Sequence, residues 1–207
     1  MWGRKKQQHK QHKKRKKNEE EEEEDEEGNI TIHGNHIYFY SDVATKPIQQ
    51  LNQAINKLNE QGNGYSEIWL HINSYGGTVY DALAAADTIK ASPTPIITII
   101  EGMCASAATM ISVVGDKRYI RPHSVMLIHQ LRCGAYGKKE DVDDEMDNVK
   151  KLEKRLVELY VDNSKLSKVV FQKMMKRELE YSAEKCLKMG FVDEIYRGEK
   201  SLGKRKR

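Results

Sequence analysis

The chain has 207 residues, with 35 lysines and arginines, 31 aspartates and glutamates and a pI of about 8.8, a length that suits one domain with a substantial core. Residues 1–17 carry nine basic side chains, residues 19–27 nine acidic ones, and residues 198–207 five basic ones and one acidic one, which leaves 21 of each sign in residues 28–197. A central part so close to neutral argues against a basic face for DNA, although the charged tails could still contact phosphates or a nuclear-import receptor.

The cysteines and the hydropathy of the chain argue against a metal-binding, secreted or membrane-spanning protein. Cys104, Cys133 and Cys186 are widely spaced and form no CxxC pair, so we expect no metal site. No secretory signal is recognisable, and the apolar runs are far shorter than the roughly 18 residues that span a bilayer. We therefore expect a soluble, cytoplasmic protein in a reducing compartment.

The composition along the chain predicts one folded domain between two charged tails. Residues 1–28 join a polybasic block to a polyacidic block with almost no apolar side chain, which is typical of disorder. Residues 29–197 form the domain, and residues 198–207 form a basic C-terminal tail. The N-terminal tail is either simply solvated or has a localisation or docking role.

The domain begins with strands and helices in alternation. Residues 30–40 predict strand, turn and strand. Residues 45–60 place their apolar side chains on one helical face, and Gly62 and Gly64 end that helix. The pattern then predicts a strand at 67–73, a helix at 78–91 and a strand at 96–100 that stops at Gly102.

The second half of the domain continues this alternation. The predicted elements are a helix at 106–114, strands at 118–121 and 124–130, a glycine-bearing connection at 134–137, helices at 139–163 and 166–178, a helix that Ser182 caps and Gly190 ends, and a strand at 191–196. A repeating βαβ order implies a largely parallel sheet with helices on its faces, and thus an α/β fold.

The helix at 139–163 is long, highly charged and has a single apolar stripe. The stripe consists of Val142, Met146, Val149, Leu152, Leu156 and Leu159 or Tyr160. Such a stripe needs a partner. Two interpretations remain open: the helix projects and meets another copy of the chain, or it docks on its own domain.

Ser106 stands between the apolar run Ile96–Ile100 and a helical segment. A serine at a strand-to-helix bend presents its hydroxyl at a cleft, next to free N–H groups at the helix start. A nucleophile needs that exposure, and it needs donors for the developing oxyanion. The alternative interpretation is a small-residue turn in which the serine only caps the helix.

Two other segments of the chain contain candidate active-site residues. Gly76 and Gly77 follow a predicted strand, and adjacent glycines let the backbone approach a ligand closely. His129 closes another predicted strand, although a lone histidine there is more often structural. Because the carboxyl ends of strands in an open α/β sheet share one edge, Ser106, Gly77 and His129 can converge.

Five strings of the chain resemble a known family. Ile-Asn-Ser-Tyr-Gly-Gly-Thr-Val (72–79), Gly-Met-Cys-Ala-Ser-Ala-Ala (102–108), Met-Leu-Ile-His-Gln (126–130) and Tyr-Ser-Ala-Glu (181–184) with Gly-Phe-Val-Asp-Glu-Ile (190–195) are similar to the proteolytic subunit (ClpP) of the caseinolytic protease. The resemblance implies a ClpP/crotonase-like α/β fold, a homo-oligomer of stacked heptameric rings and a hexameric AAA+ ATPase that feeds the chamber. The helix at 139–163 would be the protruding handle that joins two rings.

The resemblance also implies roles for individual residues. Ser106 would be the nucleophile of a serine endopeptidase and His129 its general base, while the N–H groups of Gly77 and Ala107 would form the oxyanion hole. The substrates would be unfolded or scaffold proteins. No cofactor or metal is expected in this chain, and a partner would bind ATP because no GxxxxGK[ST] loop is present.

The chain departs from the family pattern at the third catalytic position. Met174 stands eight residues before Ser182, where the family has an aspartate. Glu178 or a backbone carbonyl could take its place. Leu131 also replaces a family proline. Such departures occur in phage-type relatives, and a viral protein would act in the host cytoplasm, on capsid or scaffold proteins without ATP.

Two further functions stay open at this point. The chain could be a catalytically weak or silent ring subunit with an assembly or regulatory role, which Met174 favours and which Ser106 and His129 oppose. The third possibility is an acyl-CoA enzyme of the crotonase superfamily, which also uses a Gly-Gly pair to stabilise an oxyanion. Such an enzyme does not require a serine and a histidine in these two strings.

Overall fold

A computed structural model describes residues 30–60 and 64–198. The predicted N-terminal tail, the tail beyond Gly198 and the predicted helix end at Gly62 lie outside these residues. Within them, no helix is long and apolar enough to cross a membrane, and no cluster of three or more His, Cys, Asp or Glu side chains could hold a metal ion.

The described residues form one eight-stranded sheet and a set of helices. The strands are β1 (Thr31–His33), β2 (His36–Phe39), β3 (Ile68–Ser74), β4 (Ile96–Ala105), β5 (Lys117–Ile120), β6 (Val125–Leu127), β7 (Glu180–Ser182) and β8 (Glu194–Ile195). The helices are α1 (Thr45–Glu60), α2 (Val79–Lys90), α3 (Ala107–Val113), α4 (Lys139–Asp162), α5 (Lys168–Met174) and α6 (Ala183–Met189).

The sheet order is β1-β2-β3-β4-β5-β8, and β6 pairs with both β4 and β7. All pairs are parallel except β1–β2 and β6–β7. The predicted α/β class with a largely parallel sheet is therefore confirmed. The predicted α1 also forms with its apolar stripe buried, at Ile48, Leu51, Ala54, Ile55 and Leu58.

The predicted end of β4 at Gly102 was wrong, because the strand continues to Ala105. Gly102, at φ +76°, bends the strand so that Ile97–Ile100 pair with β5 and Met103–Ala105 pair with β6. The Gly102 N–H donates to the Ser124 hydroxyl at 2.8 Å. This long-range contact stabilises a change of partner that the local pattern does not indicate.

Several other predicted boundaries were also wrong. The strand predicted at 124–130 ends at Leu127, so His129 lies beyond β6. The helix predicted at 166–178 spans only Lys168–Met174, and the strand predicted at 191–196 is reduced to Glu194–Ile195. β7 was not predicted, because its three residues are too few for a local pattern and form a strand through their pairing with β6.

The long helix α4 packs on its own domain near its C-terminal end, and its contact with another copy stays a prediction. Leu156, Val157 and Tyr160 are buried against the domain. Toward the N-terminus, Met146 is 41% exposed and most of its neighbours are exposed as well. The last third of α4 therefore docks on its own domain, while the apolar stripe of the first two thirds is only partly covered by the residues that the structure describes.

The sheet face opposite the main core carries aromatic and ionic side chains. Trp69 stacks on Tyr119 with ring centroids 5.6 Å apart. Next to them, His71 Nδ1 lies 3.2 Å from Glu101 Oε2, and Arg121 Nη2 lies 2.7 Å from Glu101 Oε1. The close contact with His71, together with the hydrogen bonds of Tyr40 and Arg121, lowers the pKa of Glu101 to about 2. This carboxylate therefore stays ionised within the sheet layer.

Candidate active site

Ser106 lies at the sharp turn between β4 and α3. Its φ is +53°, and among residues 30–60 and 64–198 it is the one non-glycine residue with a positive φ. It occupies the N-cap position of α3, yet its side chain makes no capping hydrogen bond. A simple capping role is therefore not supported. Backbone strain of this kind costs about 1–3 kcal/mol and clusters at functional sites.

Replacing Ser106 by glycine is expected to stabilise the protein relative to replacing it by alanine. Both variants lack the hydroxyl, but only glycine adopts a positive φ without a Cβ penalty. At equal protein concentration, urea denaturation should show a free energy of unfolding about 1 kcal/mol higher for Ser106→Gly than for Ser106→Ala. Equal values for the two variants would contradict strain at this turn.

Gly76 brings the end of β3 against the turn of Ser106. Its φ is +99°, and a Cβ at this position would lie 2.7 Å from the Ser106 Cβ and 3.0 Å from the Ala107 nitrogen. Its N–H donates to the Ser74 hydroxyl at 3.1 Å. Only a residue without a side chain permits this close approach of two backbones.

Gly77 is held by a short parallel bridge to Val43. The Val43 N–H donates to the Gly76 carbonyl at 2.8 Å, and the Val43 carbonyl accepts from the Thr78 N–H at 2.7 Å. Successive peptide groups of an extended chain point to opposite sides. The N–H of Gly77 therefore faces away from Val43.

His129 follows β6 in an irregular segment. Its Nδ1 lies 2.6 Å from the carbonyl oxygen of Gln130. Because a carbonyl oxygen only accepts, Nδ1 carries the proton in this contact and Nε2 is left as the basic nitrogen. The Gln130 N–H donates to the Met175 carbonyl at 2.7 Å, which fastens this segment to the end of α5.

One cavity of about 310 Å³ brings the predicted site residues together. Ser106, Ala107, Gly77 and His129 all line it. They follow β4, β3 and β6, which are parallel neighbours, so their carboxyl ends meet at one edge of the sheet. The rest of the lining consists of Tyr75, Val79, Met110, Gln130, Leu131, Arg132, Leu156, Tyr160 and Met175.

Met174, which stands at the position of the family's third catalytic residue, and Glu178, its candidate substitute, do not line this cavity. Met174 ends α5 and packs, partly buried, against the core. Glu178 is exposed, and its Oε1 lies 2.6 Å from Arg132 Nη2. The hydrogen bond and charge of Arg132 hold the pKa of Glu178 below its usual value. His129 Nδ1 contacts the Gln130 carbonyl, and a backbone carbonyl as the third catalytic group stays a prediction.

Sequence reasoning did not assign Tyr160 or Met175 to this site. Tyr160 was assigned only to the apolar stripe of α4, and Met175 was not considered. A hydroxyl at the end of an otherwise aliphatic stripe was the signal that could have singled out Tyr160. Nothing in the local sequence pointed to Met175.

Comparison with known proteins gives the family. The sequence model of a family described as Clp protease matches residues 19–199 of this chain. The chain belongs to the Clp protease family. It is thus a Clp-type protease and a serine peptidase, and the resemblance drawn from its motifs is confirmed.

Two relatives of this Clp-type protease illustrate the similarity. The ATP-dependent Clp protease proteolytic subunit of Deinococcus radiodurans is 34% identical over 140 residues, which are 67% of this chain and 69% of the relative. The ATP-dependent Clp protease proteolytic subunit 1 of Chlamydia trachomatis serovar D is 31% identical over 163 residues, which are 76% of this chain and 84% of the relative.

Proposed function

We propose that this Clp-type protease is a serine endopeptidase whose active site is the cavity at the carboxyl ends of β3, β4 and β6. Ser106 is the nucleophile, His129 the general base, and the N–H groups of Gly77 and Ala107 form the oxyanion hole. The observation that carries the proposal is that all four residues line one cavity, with the serine on a strained turn.

The chemistry of this site follows the serine–histidine template. His129 Nε2 removes the proton of the Ser106 hydroxyl as the oxygen attacks the peptide carbonyl, and the two N–H groups stabilise the oxyanion. The protonated imidazole then gives its proton to the leaving amine, which leaves an acyl-serine. Water, deprotonated by the same histidine, releases the acid and restores the enzyme.

His129 needs a hydrogen-bond partner that fixes its tautomer, and we assign this role to the Gln130 carbonyl. The contact at 2.6 Å keeps the proton on Nδ1 and leaves Nε2 free to act as the base. A neutral carbonyl stabilises the imidazolium less than a carboxylate does. This site should therefore turn over more slowly than one with an aspartate as the third residue.

The assembly of this protease is also proposed from its relatives and from α4. Both relatives are named as ATP-dependent proteolytic subunits. We expect stacked heptameric rings that enclose a chamber, a separate AAA+ ATPase that feeds it, and no cofactor in this chain. The exposed stripe of α4 supports contact with another copy. Unfolded or scaffold proteins are the expected substrates, in the cytoplasm or in a host cytoplasm.

A fluorophosphonate probe combined with native mass measurement tests the function. The wild type should be labelled, and Ser106→Ala should not be. Ser182→Ala is the matched control, because Ser182 also occupies an N-cap position but caps α6 through its side chain, outside the cavity. It should be labelled like the wild type. Labelling that survives in Ser106→Ala would overturn the assignment of the nucleophile.

The second candidate function is a silent ring subunit, which Met174 favours because it cannot orient an imidazole. This alternative predicts an oligomer of normal mass that the probe does not label. A labelled oligomer excludes it, so one sample decides between the two functions.

A further inference from the structure

The carbonyl of Ser106 is held by two donors of one residue. The Thr109 hydroxyl donates to it at 2.6 Å, and the Thr109 N–H donates to it at 3.0 Å. Thr109 is fully buried in α3. Such a contact of a threonine with the carbonyl three residues earlier fixes the orientation of the peptide that carries the carbonyl.

A second hydroxyl fixes the direction of this contact. Tyr160 Oη lies 2.6 Å from Thr109 Oγ1. A threonine hydroxyl has one proton, and the Ser106 carbonyl can only accept it, so Tyr160 donates to Thr109. Tyr160 is 5% exposed and its ring stacks on Phe171, with centroids 4.8 Å apart. The phenol is therefore locked in place by the packing of α4 and α5.

The Ser106 carbonyl and the Ala107 N–H belong to one peptide group. In a trans peptide these two groups point in opposite directions, so a donor that anchors the carbonyl also sets the direction of the N–H. Rotating this peptide would break both bonds to Thr109.

We propose that Thr109 and Tyr160 are positioning residues that hold the Ser106–Ala107 peptide with its N–H directed into the cavity. This inference rests on the proposed function, because it assigns the two hydroxyls to the oxyanion hole of that reaction. Both residues act through the orientation of the Ala107 N–H. Thr109 holds the peptide directly by donating to the Ser106 carbonyl. Tyr160 donates to the Thr109 hydroxyl and so directs the Thr109 proton toward that carbonyl.

Steady-state peptide hydrolysis by the full-length protein tests the inference. Thr109→Val keeps nearly the same shape but removes the hydroxyl donor. It should lower kcat about ten-fold with KM nearly unchanged, less than the roughly 10²–10³-fold cost of deleting an oxyanion donor, because the amide remains. Thr109→Ser should restore kcat, since it keeps the hydroxyl. Tyr160→Phe should lower kcat less than Thr109→Val does.

The double variant separates positioning from stability. Thr109→Val alone leaves the buried Tyr160 hydroxyl without an acceptor and should lower Tm, whereas Thr109→Val with Tyr160→Phe removes both polar partners and should recover Tm. If the residues position the peptide, kcat of the double variant stays about ten-fold low despite the recovered Tm. If their role is only structural, kcat recovers together with Tm, and the inference is overturned.

Thr88→Val is the matched control. Thr88 also donates its hydroxyl to a helical carbonyl, that of Ala84 at 3.0 Å, but it lies in α2 outside the cavity lining. This variant should keep the wild-type kcat. Wild-type kcat in Thr109→Val would refute this inference and leave the proposed function intact. A wild-type protein that neither hydrolyses peptides nor reacts with the probe would refute both.

Discussion

Gly77→Ala is expected to lower kcat/KM by roughly 10²–10³, because it displaces an oxyanion donor. A Cβ at Gly77 would lie 2.2 Å from the carbonyl oxygen of Val43 and 2.9 Å from its carbonyl carbon, and φ at this position is +149°. The two backbones must therefore separate. The bridge that turns the Gly77 N–H away from Val43 would be lost with that movement.

The measurement is peptide hydrolysis together with native mass and a thermal unfolding curve. Gly34→Ala is the control, since Gly34 also has a positive φ, of +60°, but its Cβ would meet only the Tyr65 hydroxyl at 3.9 Å. This control should lose about 1 kcal/mol of stability and keep its activity. An active Gly77→Ala variant would show that the Gly77 N–H is not a catalytic donor.

His129→Ala is expected to lower kcat/KM by about 10³, within the range found for a general acid–base group. No other imidazole lines the cavity described in residues 30–60 and 64–198, so no side chain of the same type can replace it. The loss should appear in kcat rather than in KM, because proton transfer belongs to the transition state. A variant that keeps more than a tenth of the wild-type kcat would contradict the assigned role.

Glu178→Gln distinguishes the two possible partners of His129. Glu178 forms a solvent-exposed ion pair with Arg132, which water screens, so its neutralisation should change kcat/KM by no more than about two-fold. If the Glu178 carboxylate orients the imidazole instead, the loss should approach the roughly 10⁴-fold seen when a triad aspartate becomes an amide. The same hydrolysis assay on Glu178→Gln and His129→Ala therefore reveals whether the Gln130 carbonyl alone is sufficient to orient the His129 imidazole.

The amino-acid sequence alone determined the α/β class, the family and the order of most elements. The buried stripe of α1 and the caps of α6 at Ser182 and Gly190 follow from residues a few positions apart, so a local pattern is enough to find them. Ser106, Gly77 and His129 were singled out for the same reason, since each stands in a short motif at a strand end.

Only the tertiary structure decided how the strand ends meet and what surrounds the site. β4 continues past Gly102 because it pairs there with Ser124 and with the strand β6, 22 residues later in the chain. The contact of His129 Nδ1 with the Gln130 carbonyl depends on the direction of that backbone carbonyl, which the pattern of side chains in the sequence does not predict. Thr109 and Tyr160 are 51 residues apart, and their hydroxyls meet only because α4 packs against α3. Contacts between distant segments arise from packing, and local sequence carries no direct signal for them.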